Sequence, residues 1–132
     1  MKTRNFKHGK KIYRSYLKPV GKGYEVGFVF SGTPLFVGNF VHAKEANAWY
    51  TQMNQQIAQF TKKYWITPNA PRAFYNKFMT QHLYKIYYAF LDKHFAKYTR
   101  TYSREFNKNE RKYKRLRKNW RPKDQLPLRR AA

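Results

Sequence analysis

Cysteine is absent, acidic residues number six against twenty-nine Lys and Arg, and no apolar run approaches the ~20 residues that a membrane span requires. Each shortage excludes something. Without cysteine there are no disulfides, no thiolate chemistry and no Cys-ligated zinc. The six acids are dispersed. Asp92 and Asp124 have no carboxylate neighbour, and Glu105 and Glu110 stand among basic residues as helix-surface pairs, so no paired carboxylates suggest a nuclease metal site. His82 and His94 are twelve residues apart, too far for a helical i, i+4 ligand pair, and His8 and His42 are isolated. No Gly-rich phosphate loop and no Ser/His/Asp set is present. The expectation is a protein without catalysis, metal or cofactor. The start, "MKTRNFKHGKK", has no apolar stretch behind its charges, so neither a signal peptide nor a membrane partner is expected, and cytoplasm or nucleoid is the expected location.

What is abundant is positive charge and aromatic side chains. The formal net charge is +23, an excess that selects polyanions, nucleic acid before any other. Aromatics make up 20% of the residues, well above what a disordered basic tail carries, so a core can form. Along the chain, residues 1–11 read as a basic N-terminal arm. A module spans residues 12–65. Within it "KIYRSYLKPV" and "YEVGFVFS" are strands, the second with Tyr24, Val26, Phe28 and Phe30 alternating against Glu25, Gly27 and Val29. After "SGTP" comes a third strand, "LFVGNF", and then a helix from His42 or Ala43, with Ala46, Trp49, Tyr50, Met53, Ile57 and Phe60 on one stripe. Short loops favour an antiparallel meander. Residues 66–71 read as a linker, with Asn69 and Pro71 opening the next helix.

Residues 72–120 contain no Gly or Pro, and Phe74, Phe78, Leu83, Ile86, Phe90, Phe95, Tyr98, Tyr102, Phe106, Tyr113 and Trp120 keep roughly helical spacing. One long helix, or two collinear ones, is expected, followed by a basic tail over 121–132. Helical spacing of this kind is the usual mark of core, so Phe74 to Phe95 are expected to pack on the sheet. The basic charge concentrates at the end: fourteen Lys and Arg fall between 97 and 130.

The run "FVGNFVHAKEANAWY", Phe36 to Tyr50, resembles the third strand and helix start of the plant ethylene-response-factor DNA-binding domain and of the related integrase arm-binding domains. Their pattern there is Trp-Leu-Gly-Thr-Phe followed by an alanine-rich helix. The resemblance covers residues 13–60. It implies three antiparallel strands against one helix, with the other sheet face turned to DNA. Arg14 matches an arginine of that face and Phe36 matches its tryptophan as an aromatic. Leu17, Gly27 and Val29 stand where the family has arginine, glutamate and arginine, which removes the bidentate donors that base reading needs. An outer face this apolar is expected to be covered, the second helix being the candidate.

The fold expected is therefore α+β, a three-stranded antiparallel sheet on a helix, with a long basic C-terminal helix and basic tails. The function expected is sequence-tolerant binding of the nucleic-acid backbone, DNA ahead of RNA. The residues assigned to it are Arg100, Arg104, Lys108, Arg111, Lys112, Lys114, Arg115, Arg117, Lys118, Trp120 and Arg121, with Arg14 and Lys18 as a secondary patch. Binding to ribosomal RNA as a ribosome-associated protein is the rival reading. A DNA-condensing packaging or scaffold protein, which would self-associate, is the third.

Overall fold

The computed structural model describes residues 1–8, 11–65, 72–95 and 100–113. Four antiparallel strands lie side by side in chain order: β1 (Lys2–His8), β2 (Lys11–Val20), β3 (Gly23–Phe30) and β4 (Thr33–Phe40). Three helices follow, α1 (Ala43–Tyr64), α2 (Arg72–Phe95) and α3 (Arg100–Tyr113). Two-residue turns at 21–22 and 31–32 force β2, β3 and β4 into a meander. The α+β class and these three strands agree with the sequence reading.

Alternation sorts the sheet into two faces. Cross-strand partners Leu17, Val26 and Gly38 share the inner face, as do Ser15, Phe28 and Phe36. α1 lies on that face and presents Ala46, Trp49, Met53 and Ile57, all fully buried. Val26 and Phe28 share this core with Ala46, Trp49 and Met53, while Tyr24 is only partly buried against it. One polar link crosses this core: the Ser15 hydroxyl donates to Asn54 Oδ1 at 2.6 Å, so neither buried polar side chain is left unsatisfied. Gly38 leaves room for the Phe36 and Tyr87 rings; a methyl group there would come within 3.1 Å of each.

Two sequence expectations are corrected. Residues 2–8 are not an arm but a fourth strand, paired with β2 from Lys2 opposite Leu17 to His8 opposite Lys11. The strand was hard to read because Phe6 is its only buried apolar side chain; backbone bonding holds the rest. Lys2 and Arg4, on the inner face, overhang the helix layer. Lys2 donates to Asn47 Oδ1 at 2.6 Å and the Arg4 guanidinium lies 4.8 Å from the Phe6 ring centre.

The second correction concerns the expected helix over 72–120. The chain instead makes two helices on opposite sides of the sheet. α2 packs beside α1 and along the β4 edge, whereas Phe106 and Tyr113 of α3 are buried and α3 meets the outer face at Asn39. A single straight rod cannot reach both faces. The buried face of α2 is also turned from the one expected. It consists of Tyr75, Met79, Leu83, Tyr84, Tyr87, Tyr88 and Leu91, while Phe74 and Phe78 point outward, 59% and 44% exposed.

The edge of β4 explains that rotation. The Val37 N–H donates to the Tyr84 hydroxyl at 3.1 Å, and the Asn39 N–H to the Tyr87 hydroxyl at 2.9 Å. The Tyr87 hydroxyl in turn donates to the Asn39 carbonyl at 3.1 Å. Phenylalanine could not satisfy these buried backbone groups; tyrosine can. Tyr87→Phe is expected to destabilise the fold by ~1–3 kcal/mol in chemical denaturation, since it strands a buried N–H and C=O. Phe28→Ala should cost ~3–5 kcal/mol by opening the centre of the core. An unchanged unfolding midpoint in either variant would contradict the packing described.

Candidate nucleic-acid interface

α3 separates its residues cleanly. Phe106 and Tyr113 are buried, and Asn109 and Glu110 are half-buried beside them. Asn39, itself buried on β4, donates from Nδ2 to the Phe106 carbonyl at 3.1 Å and to Glu110 Oε1 at 3.4 Å. The Asn109 amide lies next to Gly23, and the Lys112 ammonium is 3.8 Å from where a Cβ on Gly21 would sit. α3 therefore passes over the outer face toward the β2–β3 turn. Steps of four and three residues put Arg104, Lys108 and Arg111 on one stripe of the helix away from its buried face, and all three are exposed. Lys112 is exposed beside them and brings its charge to the turn that carries exposed Lys22.

Under α3 the outer face is closed by Tyr16. Its ring covers Gly27, where any side chain would collide with it, and its hydroxyl donates to Glu25 Oε2. Burial raises the Tyr16 phenol well above its ordinary value, and the hydrogen bond to Glu25 adds to the shift. Glu25 also holds Lys18 at 3.7 Å, and the Lys18 ammonium lies 5.6 Å from the Tyr16 ring centre. Lys18 is half-buried and paired with Glu25. The part of the outer face left open belongs to β1 and β2: Thr3, Asn5, Lys7, Ile12 and Arg14 are exposed. Arg14 Nε donates to Asn5 Oδ1 at 3.0 Å, which holds the guanidinium stem flat on the sheet.

Of the residues assigned from sequence, Arg104, Lys108, Arg111 and Lys112 stand together on α3. Arg14 is exposed on the sheet and Lys18 is engaged by Glu25. Arg100 opens α3. Lys114, Arg115, Arg117, Lys118, Trp120 and Arg121 lie outside the described residues. Of the positions where the resemblance places groove contacts, Leu17 and Phe36 are buried beneath α1 and Gly27 is covered, leaving Arg14 and the half-buried Val29. Covering by the helix after α1 was expected; α3 does it.

Sequence reasoning missed a second basic group, at the α1–α2 end of the molecule. Lys62, Lys63, Arg72 and Lys77 are exposed there, around Phe74 and Phe78. Its signal was present: residues 46–91 contain no Asp or Glu. Arg72 also lies 5.7 Å from the Phe30 ring centre. Nearby, burial pushes the Tyr13 phenol up to about 12, with Arg72 opposing, and burial raises Tyr75 as well. Tyr13 donates to Asn76 Oδ1 at 2.7 Å.

Among the described residues no group of three or more His, Asp or Glu could hold a metal ion, and no helix is long and apolar enough to cross a membrane. Compared with known protein families, with curated proteins and with solved structures, the chain matches none.

One histidine in this second region, His82, gives stability a dependence on pH. His82 Nε2 meets Gln56 Oε1 at 3.1 Å and the ring packs 4.4 Å from that of Phe60. Burial lowers its pKa, and the Lys85 charge lowers it further. The folded state therefore binds its proton less readily than the unfolded chain does, whose histidine titrates near ~6.5. His82 favours folding least when protonated, so stability should fall as pH drops below that value. His82→Gln should reduce the loss of melting temperature between neutral and mildly acid buffer. Equal acid sensitivity in both proteins would assign the titration elsewhere.

Proposed function

We propose that this is a non-catalytic, nucleic-acid-binding protein that grips the phosphate backbone through α3, largely without regard to sequence. The observation that carries the reading is the stripe Arg104, Lys108 and Arg111, exposed along one side of a helix whose other side is anchored by Phe106, Tyr113 and Asn39. Anchoring pre-organises the cations, so less freedom is lost when phosphates bind. Lys112 and Lys22 extend the basic surface to the β2–β3 turn. A helix presenting long cationic side chains without planar base-reading pairs supplies affinity and register, not sequence discrimination. Arg14 forms a secondary contact, limited by its bond to Asn5. The likeness of residues 13–60 to the ethylene-response-factor module is the one reason for placing DNA ahead of ribosomal RNA. Recovery of bound material after treatment with ribonuclease or deoxyribonuclease separates the two.

On duplex DNA, log K falls with log salt at a slope of about −0.9 per neutralised phosphate. Replacing Arg104, Lys108 and Arg111 together by Gln should flatten the slope by up to about three times that value, and each single change by no more than about one. Affinity should drop alike for unrelated sequences. Arg14→Gln should do less. A full salt slope in the triple variant would remove α3 from the interface, and a loss confined to one sequence in the Arg14 variant would return base reading to the sheet.

A further inference from the structure

The rings at the α1–α2 end are not placed as a core would place them. Phe74 and Phe78 are 59% and 44% exposed, although α2 has ample buried surface a third of a turn away. Tyr64, Phe74 and Phe78 form a run of nearly parallel rings. Tyr64 and Phe74 have centroids 6.5 Å apart and planes inclined by 12°, and Phe74 and Phe78 are 6.4 Å apart and inclined by 16°. Phe78 continues to Phe60 at 5.5 Å. Beside Phe60 is a recess of about 480 Å³, lined by Gln59, Phe60, Lys62 and Lys63. Lys62 and Lys63 come from α1, Arg72 and Lys77 from α2, and all four are exposed. No acid lies between residues 46 and 91; the acids of these two helices are Glu45, in the first turn of α1, and Asp92, near the end of α2.

We propose that this platform is a second nucleic-acid site, one that takes unpaired bases: a single strand lays its bases on the rings of Phe74 and Phe78 while Lys62, Lys63, Arg72 and Lys77 neutralise its phosphates. The proposal rests on the nucleic-acid-binding reading above and adds a strand preference to it. Stacking needs an open π-face, which every unpaired base has and a base inside a duplex does not. Parallel rings offer successive bases the same orientation. The cations select against an apolar or basic protein segment, since either would leave four charges beside a desolvated surface. The α3 stripe makes no such distinction between strands, because it meets phosphates only. The two sites thus divide the work: α3 supplies general affinity, and the platform supplies discrimination for exposed bases.

The test uses the full chain and three fluorescent probes with equal numbers of phosphates: an oligothymidylate, its abasic counterpart and a duplex. Phe74→Leu and Phe78→Leu keep apolar bulk but remove the π-face. Each should weaken oligothymidylate binding between about fivefold and a hundredfold at fixed salt, while abasic and duplex affinities stay unchanged. The salt slope should not move, because no cation is lost. Phe74→Trp, which retains an aromatic face, should bind oligothymidylate at least as well as the parent chain. Unchanged oligothymidylate affinity in both Leu variants overturns the platform, as does an equal loss on all three probes. A concentration-dependent dimer that Phe78→Leu dissolves, with oligothymidylate binding intact, overturns it too and makes the patch a protein contact. Failure of the parent chain to bind any probe overturns the nucleic-acid reading itself, a different result from failure of the platform alone.

Discussion

The pairing of Tyr87 with Asn39 is the contact on which the arrangement of helices depends. β4 is an edge strand, and its unpaired backbone groups are buried by α2, where water cannot serve them. Tyr87 accepts from the Asn39 N–H and donates to its carbonyl, and Tyr84 accepts from the Val37 N–H. Those bonds select which side of α2 faces the sheet. The Asn39 side chain, on the other side of the strand, then holds α3 through the Phe106 carbonyl and Glu110. One strand residue therefore ties both layers of helix to the sheet. The opposite edge is handled differently. β1 carries exposed Lys2, Arg4 and Lys7, and a charged edge strand resists pairing with another chain.

A chain with formal charge +23 resists compaction, and packed rings make up much of the core that opposes it. Trp49 packs against Phe36, Phe40, Tyr87 and Phe90, and Tyr13 against Phe28, Phe30, Trp65 and Tyr75. Two of the acids serve as links within the fold. Glu25 serves both Lys18 and Tyr16 on the covered face, and Glu110 meets Asn39. The cations of α3 and of the α1–α2 end are left to solvent. A polyanion bound to them would relieve the repulsion and stabilise the folded state by linkage.

Distribution of the aromatics links stability to the proposed function. Tyrosines, with a hydroxyl to satisfy, line the buried side of α2, whereas the two phenylalanines nearest its start are exposed among lysines and arginines. Hydrophobicity alone would have reversed that order. Hydrogen-bond demand at the β4 edge sets the rotation of the helix, and the same rotation presents Phe74 and Phe78 outward. The stacking platform is thus coupled to the device that closes the sheet edge.

How much was legible follows from how local each signal is. Alternation in Tyr24–Phe30, two-residue turns and the apolar stripe from Ala46 to Phe60 are neighbour-level patterns, and β2, β3, β4 and α1 stand where those patterns put them. That basic residues concentrate toward the C-terminus was legible from composition, whereas the grouping of Arg104, Lys108 and Arg111 opposite Phe106 and Tyr113 needed the helix placed on the sheet. β1 was not legible, because one buried phenylalanine carries no period and its bonding partner is a different strand. The end of α2 was not legible either: no Gly or Pro lies between 72 and 121 to mark it. The outward turn of Phe74 and Phe78 depends on hydroxyls meeting a strand some fifty residues earlier, Tyr87 to Asn39 across 48 positions. By itself the sequence determined class, charge and the strands and helix built from local periods. Only the tertiary structure decided which face each helix turns inward, because that choice is made by backbone groups far away in the chain that must find a partner once water is gone.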